Sequence, residues 1–301
     1  MSKVRDIQRS VCHAPPQLCC YGNVQMSMAF FQNIEKQVFI NERYVELDFS
    51  QTVHITAAAA LYLVSVVTKC QNCAPKNIMY PHIVVSYKFP PDDIKWRLFD
   101  STGILEIIKP GGKKKLDQVW EDLSNPFQTG NDPAKQFPRM LDWYRSLDIG
   151  PVPQKLHSAV QEGYLNIKQH AYDKHMTVDF LKYRWWLYAV HDSTLNRVAF
   201  LLLDRGLGIP RHVNLPEGAK SNDVGRIAIA MQKGWSSTGE PGRGRGTENI
   251  RKPINLKDND DRLMVMSGMG KYNYIKGSDP RLEPLPVNFQ GTLIEWSLSL
   301  D

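Results

Sequence analysis

Residues 198–210 read VAFLLLDRGLGIP, and this stretch decides the fold of the second half of the chain. The apolar run predicts a buried strand over residues 197–203. A carboxylate directly after such a strand is costly to bury without a hydrogen-bond donor, so Asp204 marks either a binding site or an ordinary turn. Gly206 and Gly208 allow the main chain to turn tightly and to approach another group closely.

On the N-terminal side, the sequence predicts a strand over residues 183–191 and a long helix over residues 153–174. The helix carries an apolar stripe, and on a separate, narrower face Glu162, Asn166 and His170 recur every four residues. These three are either the solvated side of an amphipathic helix or part of a metal–nucleotide site. In the second case the carboxylate orients or deprotonates an attacking group, and the amide oxygen binds a divalent cation.

On the C-terminal side, a predicted helix over residues 224–233 precedes a glycine-rich stretch that leads into a second helical pattern. Backbone N–H groups at the start of a helix bind anions, so a phosphate site is favoured over a flexible linker. Further strands are predicted over residues 262–266, 272–276 and 292–298. Helices and antiparallel strands are mixed, which predicts the α+β class. The glycine-rich stretch comprises Gly242, Arg243, Gly244, Arg245, Gly246 and Thr247.

These elements, in this order, with Gly291-Thr292 before the last strand, resemble the GHKL ATP-binding superfamily of gyrase, a heat-shock chaperone, histidine kinases and MutL. The resemblance covers residues 151–301. It implies a Bergerat-type sandwich, in which a mixed, mostly antiparallel sheet carries helices on one face, and it implies ATP and Mg²⁺ as cofactors. Glu162 resembles the general base, Asn166 the magnesium ligand and Asp204 the acceptor for the adenine amino group. The other implied nucleotide contacts are His170, Gly206, Gly208, Gly242, Arg243, Gly244, Arg245, Gly246, Thr247 and Thr292, and residues 210–241 would form a lid.

The first half of the chain predicts a smaller α/β domain. Strands are predicted over residues 38–40, 44–49 and 83–87, and helices over residues 56–69 and 92–99, with Thr56 as N-cap. Residues 48–61 and 99–104 resemble parts of STAS domains, the fold of anti-sigma-factor antagonists. Ala57 and Ala58 stand where that family carries a phosphorylatable serine, so the resemblance does not imply phosphorylation here. Thr56 is a remote substitute, although a plain N-cap explains it better.

The predicted organisation is a tail or added strand over residues 1–24, a STAS-like domain over 25–115, a helical linker over 116–150 and the GHKL domain over 151–301. The 301 residues carry a net charge of +6 and no apolar run of about 18 residues, which disfavours a membrane span. The basic run over residues 113–115 is typical of a solvated loop, so a nucleic-acid site is disfavoured. Five cysteines in no common zinc spacing indicate buried or free thiols and a cytoplasmic protein.

The resemblance implies a slow Mg²⁺-dependent ATPase that acts as a conformational switch in a regulatory complex. Its implied partner is another STAS-like or regulatory protein, or a second copy of this chain. The alternative is a protein serine/threonine kinase of the anti-sigma-factor type, in which Glu162 activates a protein hydroxyl instead of water. A non-catalytic nucleotide-binding scaffold is a third reading, and Glu162 argues against it because a binder needs no base.

Overall fold

The protein divides into two compact units, Met1–Asp122 and Leu123–Asp301. The computed structural model describes residues 8–132, 134–173, 178–213, 222–232, 246–256 and 260–300. Both helices and strands are present, which confirms the α+β class. None of the helices in the described ranges combines the length and the apolar composition that a membrane span requires.

The first unit is built on a parallel sheet with the strand order β1-β3-β5. Its strands are β1 (Arg9–His13), β3 (Tyr44–Asp48) and β5 (Val85–Lys88). The short strands β2 (Gln17–Leu18) and β4 (His54–Ile55) form a second parallel pair. Residues 9–13 of the predicted tail therefore lie in the sheet as its edge strand, and they pair with β3 along their whole length.

The helices of the first unit are α1 (Val24–Glu35), α2 (Ala57–Cys73), α3 (Asp92–Lys95), α4 (Ile104–Ile108) and α5 (Gly112–Glu121). The predicted strand over residues 38–40 is wrong, because a π-helical turn, Lys36–Ile40, continues α1 and buries Val38. A short β-branched and aromatic run has the same pattern at the end of a helix as in a strand. The predicted helix over residues 56–69 is confirmed, and the Thr56 hydroxyl accepts a hydrogen bond from the Ala59 N–H.

The second unit contains a five-stranded sheet with the order β6-β7-β8-β10-β9, in which every neighbouring pair is antiparallel. The strands are β6 (Phe127–Gly130), β7 (Trp185–Asp192), β8 (Arg197–Asp204), β9 (Arg262–Ile275) and β10 (Arg281–Ser299). The two strands predicted over residues 262–266 and 272–276 are one continuous strand, because pairing with β10 continues through the glycines between them, with register shifts.

The helices of the second unit are α6 (Met140–Ser146), α7 (Leu156–Asn166), α8 (Asp223–Ala230) and α9 (Gly246–Arg251). A π-helical turn, Ile167–Ala171, extends α7. The helix α7 packs closely on the sheet because Gly163 has no side chain: a Cβ there would lie 2.7 Å from Leu202 Cδ2 and 3.7 Å from Trp296.

Residues 116–150, predicted as a helical linker, are divided between the two units. The helix α5 closes the first unit, whereas β6 and α6 belong to the second. The four residues of β6 are all buried, and they pair with β7 at the edge of the large sheet. A four-residue strand between prolines gives too short a pattern to be recognised from periodicity.

Candidate functional site

The carboxylate of Asp204 lies at the end of β8 and is 5% exposed. The antiparallel register places Trp185 of β7 on one side of it and Thr292 of β10 on the other. Residues two apart in a strand share a face of the sheet, so Asp204 and Leu202 point to the same side. Because Leu202 lies under α7, Asp204 faces the helical layer.

A chain of hydroxyl groups extends from Asp204 across the next two strands. Thr292 donates to the Asp204 carboxylate from both its backbone N–H and its hydroxyl. The Thr292 hydroxyl lies 3.2 Å from that of Ser267 on β9, which donates to the Gly291 carbonyl at 2.8 Å and accepts from the Ile209 N–H at 2.9 Å. The network ties the loop after β8 to the middle of β9 and β10.

Burial raises the pKa of Asp204 to about 7. The Gly206 N–H, 2.8 Å from Oδ1, and the two donors of Thr292 favour the carboxylate, and the positive charge of Arg205 does so more weakly. Desolvation outweighs these donors because it penalises the charged form throughout a dry interior. The group therefore exchanges its proton close to neutral pH, which is unusual for an aspartate and typical of functional sites.

The loop after Asp204 is fastened to the end of the helical layer. The Leu207 N–H donates to the Ala171 carbonyl at 2.7 Å, and the Arg205 N–H donates to the Tyr172 hydroxyl at 3.2 Å. A Cβ at Gly206 would overlap the Ala171 carbonyl oxygen, so only glycine permits this approach. The two predicted sequence elements, the end of the long helix and the D-x-G-x-G loop, are thus in direct contact.

The structure also explains why the second position of the loop, Gly208, is a glycine. Gly208 adopts φ +83°, and a Cβ there would lie 2.8 Å from the Ser267 hydroxyl. Gly291, before Thr292, has φ +91°, and a Cβ there would overlap the Asp204 carbonyl. These close backbone approaches hold Asp204 between β7 and β10.

The face of α7 that carries Glu162, Asn166 and His170 is half-exposed, as the spacing predicts. The Asn249 amide of α9 lies 3.4 Å from Glu162 Oε2. The His170 ring lies 6.2 Å from the ring of His212, between centroids. Burial, and then the charge of His170, lower the pKa of His212. This face borders α9 on one side and the loop after β8 on the other.

The glycine-rich residues Gly242, Arg243, Gly244 and Arg245 lie outside the described residues. The prediction that a helix follows them is confirmed, since α9 begins at Gly246 and includes Thr247. Within the predicted lid, α8 packs on β9, where the missing side chain of Gly270 makes room for Ile227.

Two functional candidates were not predicted from the sequence, namely Ser267 and Asn249. Ser267 gives a recognisable signal, because it is a polar residue directly after the apolar run over residues 263–266, and it is fully buried. Asn249 gives no such signal, because its partner Glu162 lies far away in the sequence.

In the first unit, the helix start that resembles a STAS phosphorylation site begins with Ala57 and the buried Ala58. The nearby carboxylate of Asp48 accepts hydrogen bonds from Ser50 and Lys88, which hold its pKa at about 2. None of the five cysteines, all of which lie in the described ranges, forms a disulfide there. Within the described ranges, no group of three or more His, Cys, Asp or Glu side chains is placed to hold a metal ion.

Compared with protein-family models and with curated proteins, the sequence matches none of them.

Proposed function

We propose that the second unit is a Bergerat-type ATP-binding domain of the GHKL kind, which acts as a slow Mg²⁺-dependent ATPase and a nucleotide-controlled switch. The observation that carries this proposal is the setting of Asp204. It is a buried carboxylate whose backbone and hydroxyl donors come from Gly206 and Thr292, and it faces the helical layer that carries Glu162 and Asn166.

Purine recognition would use the carboxylate of Asp204 as acceptor for the amino group of adenine. A buried polar group discriminates strongly between a ligand that satisfies it and one that does not. The Thr292 hydroxyl and Ser267 would hold the carboxylate in place, and Gly206 and Gly208 would let the backbone approach the base closely.

The half-exposed face of α7 would supply the chemistry. Glu162 would accept the proton of an attacking hydroxyl group, and Asn166, one turn further on, would offer a magnesium ion its amide oxygen. A bound magnesium ion would offset the negative charge of the phosphate groups. Asn166 fits the role of magnesium ligand, because its amide oxygen is a hard ligand and its side chain is partly open to solvent.

The partner is proposed to be a STAS-like or regulatory protein, or a second copy of this chain, with the first unit as adaptor. A parallel sheet with the helix α2 capped at Thr56 supports the STAS-like interpretation of that unit. The proposed compartment is the cytoplasm, and the five cysteines, which form no disulfide within the described ranges, support this proposal.

Isothermal titration with Mg-ATP tests the binding site. We expect the wild-type protein to bind Mg-ATP and Asp204→Asn to lose at least tenfold in affinity. Asn166→Ala should bind ATP more weakly than the wild type does when magnesium is present, and equally well when magnesium is absent. Asp261→Asn is a matched control, because that buried carboxylate accepts from the Ser299 N–H and lies away from the proposed site. Unchanged affinity in both site variants would remove the proposed site.

Incubation with γ-labelled ATP distinguishes the two catalytic readings. Label on a STAS-like partner would support the serine/threonine kinase, and free phosphate alone would support the hydrolase. A Glu162→Ala protein with wild-type turnover would support the non-catalytic scaffold.

A further inference from the structure

The carboxylate of Glu162 meets a side chain from a distant part of the chain. The Asn249 Nδ2 atom lies 3.4 Å from Glu162 Oε2, and the Lys252 ammonium donates to Asn249 Oδ1 at 2.7 Å. A carboxylate only accepts hydrogen bonds and an ammonium only donates them. The amide of Asn249 can satisfy both neighbours in one orientation alone, with its oxygen toward Lys252 and its nitrogen toward Glu162.

The contact between Glu162 and Asn249 depends on how α7 and α9 pack on the sheet. Gly163, next to Glu162, has no side chain and lets α7 pack closely on the sheet beside Trp296. The Trp296 indole N–H donates to the Ile250 carbonyl at 2.8 Å, which anchors α9 on the same strand. Arg251 stacks over the ring of Tyr274 at 4.8 Å and adds a second anchor on β9. Both helices are therefore held on neighbouring parts of one sheet face.

We propose that Asn249 is a positioning residue for Glu162, and that Lys252 fixes the orientation of its amide. This inference rests on the proposed function, because Asn249 would position the residue, Glu162, that is proposed there as the general base. The helix α9, which carries Asn249, follows the proposed phosphate-binding stretch in the sequence.

The geometry assigns different tasks to the two carboxylate oxygens. Oε2 faces Asn249, and no other hydrogen bond to Glu162 occurs within the part of the chain that the structure describes. Oε1 can then accept a proton from water as the water oxygen bonds to the γ-phosphorus and the bond from that phosphorus to the β–γ bridging oxygen breaks. ATP and water give ADP and phosphate, and the proton taken up by Glu162 is released to solvent.

The first test compares ATP consumption and ATP affinity in the full-length protein. We expect Asn249→Ala to lower kcat about tenfold while the dissociation constant for Mg-ATP stays within about twofold. Lys252→Met should lower kcat about threefold, and Lys252→Arg should restore it, because a guanidinium also donates to the amide oxygen. Asn255→Ala is the matched control: this amide lies in the same segment and accepts from the Tyr274 hydroxyl at 2.6 Å. Its kcat should equal that of the wild type.

The second test uses a readout that a merely structural role would not move. Asn249→Asp, made together with Lys252→Met so that no ammonium pairs with the new carboxylate, keeps the shape of the side chain and places a second carboxylate beside Glu162, which disfavours the ionised form of the base. We expect the acid limb of its pH–rate profile to move to higher pH by about one unit. The Asn249→Ala profile should keep the wild-type limb at reduced height.

The outcomes separate this inference from the proposed function. If wild-type protein binds no Mg-ATP, the proposed function fails and the positioning role fails with it. If the wild type consumes ATP but Asn249→Ala matches its kcat, or the double variant with Asn249→Asp and Lys252→Met leaves the acid limb in place, the positioning role alone is overturned.

Discussion

The pH at which Asp204 ionises makes a sharp prediction about the stability of the second unit. Burial raises the pKa of Asp204 from the ordinary 3.8 to about 7, whereas the unfolded chain releases this proton near the ordinary value. Between the two values the unfolded state binds fewer protons than the folded state, so the free energy of unfolding falls as pH rises. About three pH units at ~1.4 kcal/mol each amount to about 4 kcal/mol, lost in full above pH 7.

The variant Asp204→Asn removes this dependence. Its side chain offers one acceptor oxygen where the carboxylate offers two, so the Gly206 N–H and the two donors of Thr292 lose one acceptor between them. Loss of that acceptor costs about 1–2 kcal/mol at any pH. At pH 8 the variant escapes the penalty of about 4 kcal/mol and should be more stable than the wild type by about 2 kcal/mol. At pH 4 it should be less stable by about 1–2 kcal/mol.

Urea unfolding at pH 4, 6 and 8, followed by tryptophan fluorescence, measures whether the stability difference between Asp204→Asn and the wild type changes sign. Trp185, Trp186 and Trp296 are fully buried in the large sheet and report its unfolding. Asp261→Asn is the control, because its carboxylate lies 3.8 Å from the Arg197 guanidinium, and neutralising it removes an attraction. It should gain no stability at pH 8. A difference between Asp204→Asn and the wild type that is the same at all three pH values would refute the reasoning.

Three further changes follow from single contacts. Gly206→Ala should lower the free energy of unfolding by about 3 kcal/mol, because its Cβ would overlap the backbone carbonyl of Ala171. An unchanged melting temperature in thermal unfolding would contradict this contact. Asp48→Asn should lower the melting temperature by about 4 °C at pH 7. Ser50 holds the pKa of that carboxyl at about 2, so the stabilisation is present above pH 4, and the two proteins should converge as the pH falls toward 2. Thr56→Ala should lower the free energy of unfolding, measured in urea, by about 1 kcal/mol, because the helix cap is lost. Thr56→Ser should retain most of the wild-type stability, because its hydroxyl can still cap the helix.

The strands and helices around Asp204 could be predicted because each has a clear pattern of its own. The run over residues 198–203 is long enough to identify a buried strand, and the glycines at 206 and 208 mark the close approach that the structure contains. The short run over residues 38–40 failed because three apolar residues fit a helix end and a strand equally well. Length of pattern, rather than strength of propensity, decided these outcomes.

The contacts within the candidate site depend on tertiary packing and leave no local signal. Glu162 and Asn249 meet because two helices share one strand of the sheet, and no spacing in the sequence records this. The raised pKa of Asp204 likewise arises from the layers that cover it. Periodicity could identify the half-exposed face of α7, but the identity of its neighbour required the three-dimensional arrangement.

The position of β1 has a practical consequence for work with shortened forms of the protein. This strand forms one side of β3, and its removal would leave the N–H and C=O groups along that flank of β3 without partners. Unsatisfied strand edges recruit strands from other molecules and promote aggregation. Proteolytic trimming or affinity tags that disturb residues 9–13 should therefore impair recovery of the protein even though the proposed nucleotide site lies in the other unit.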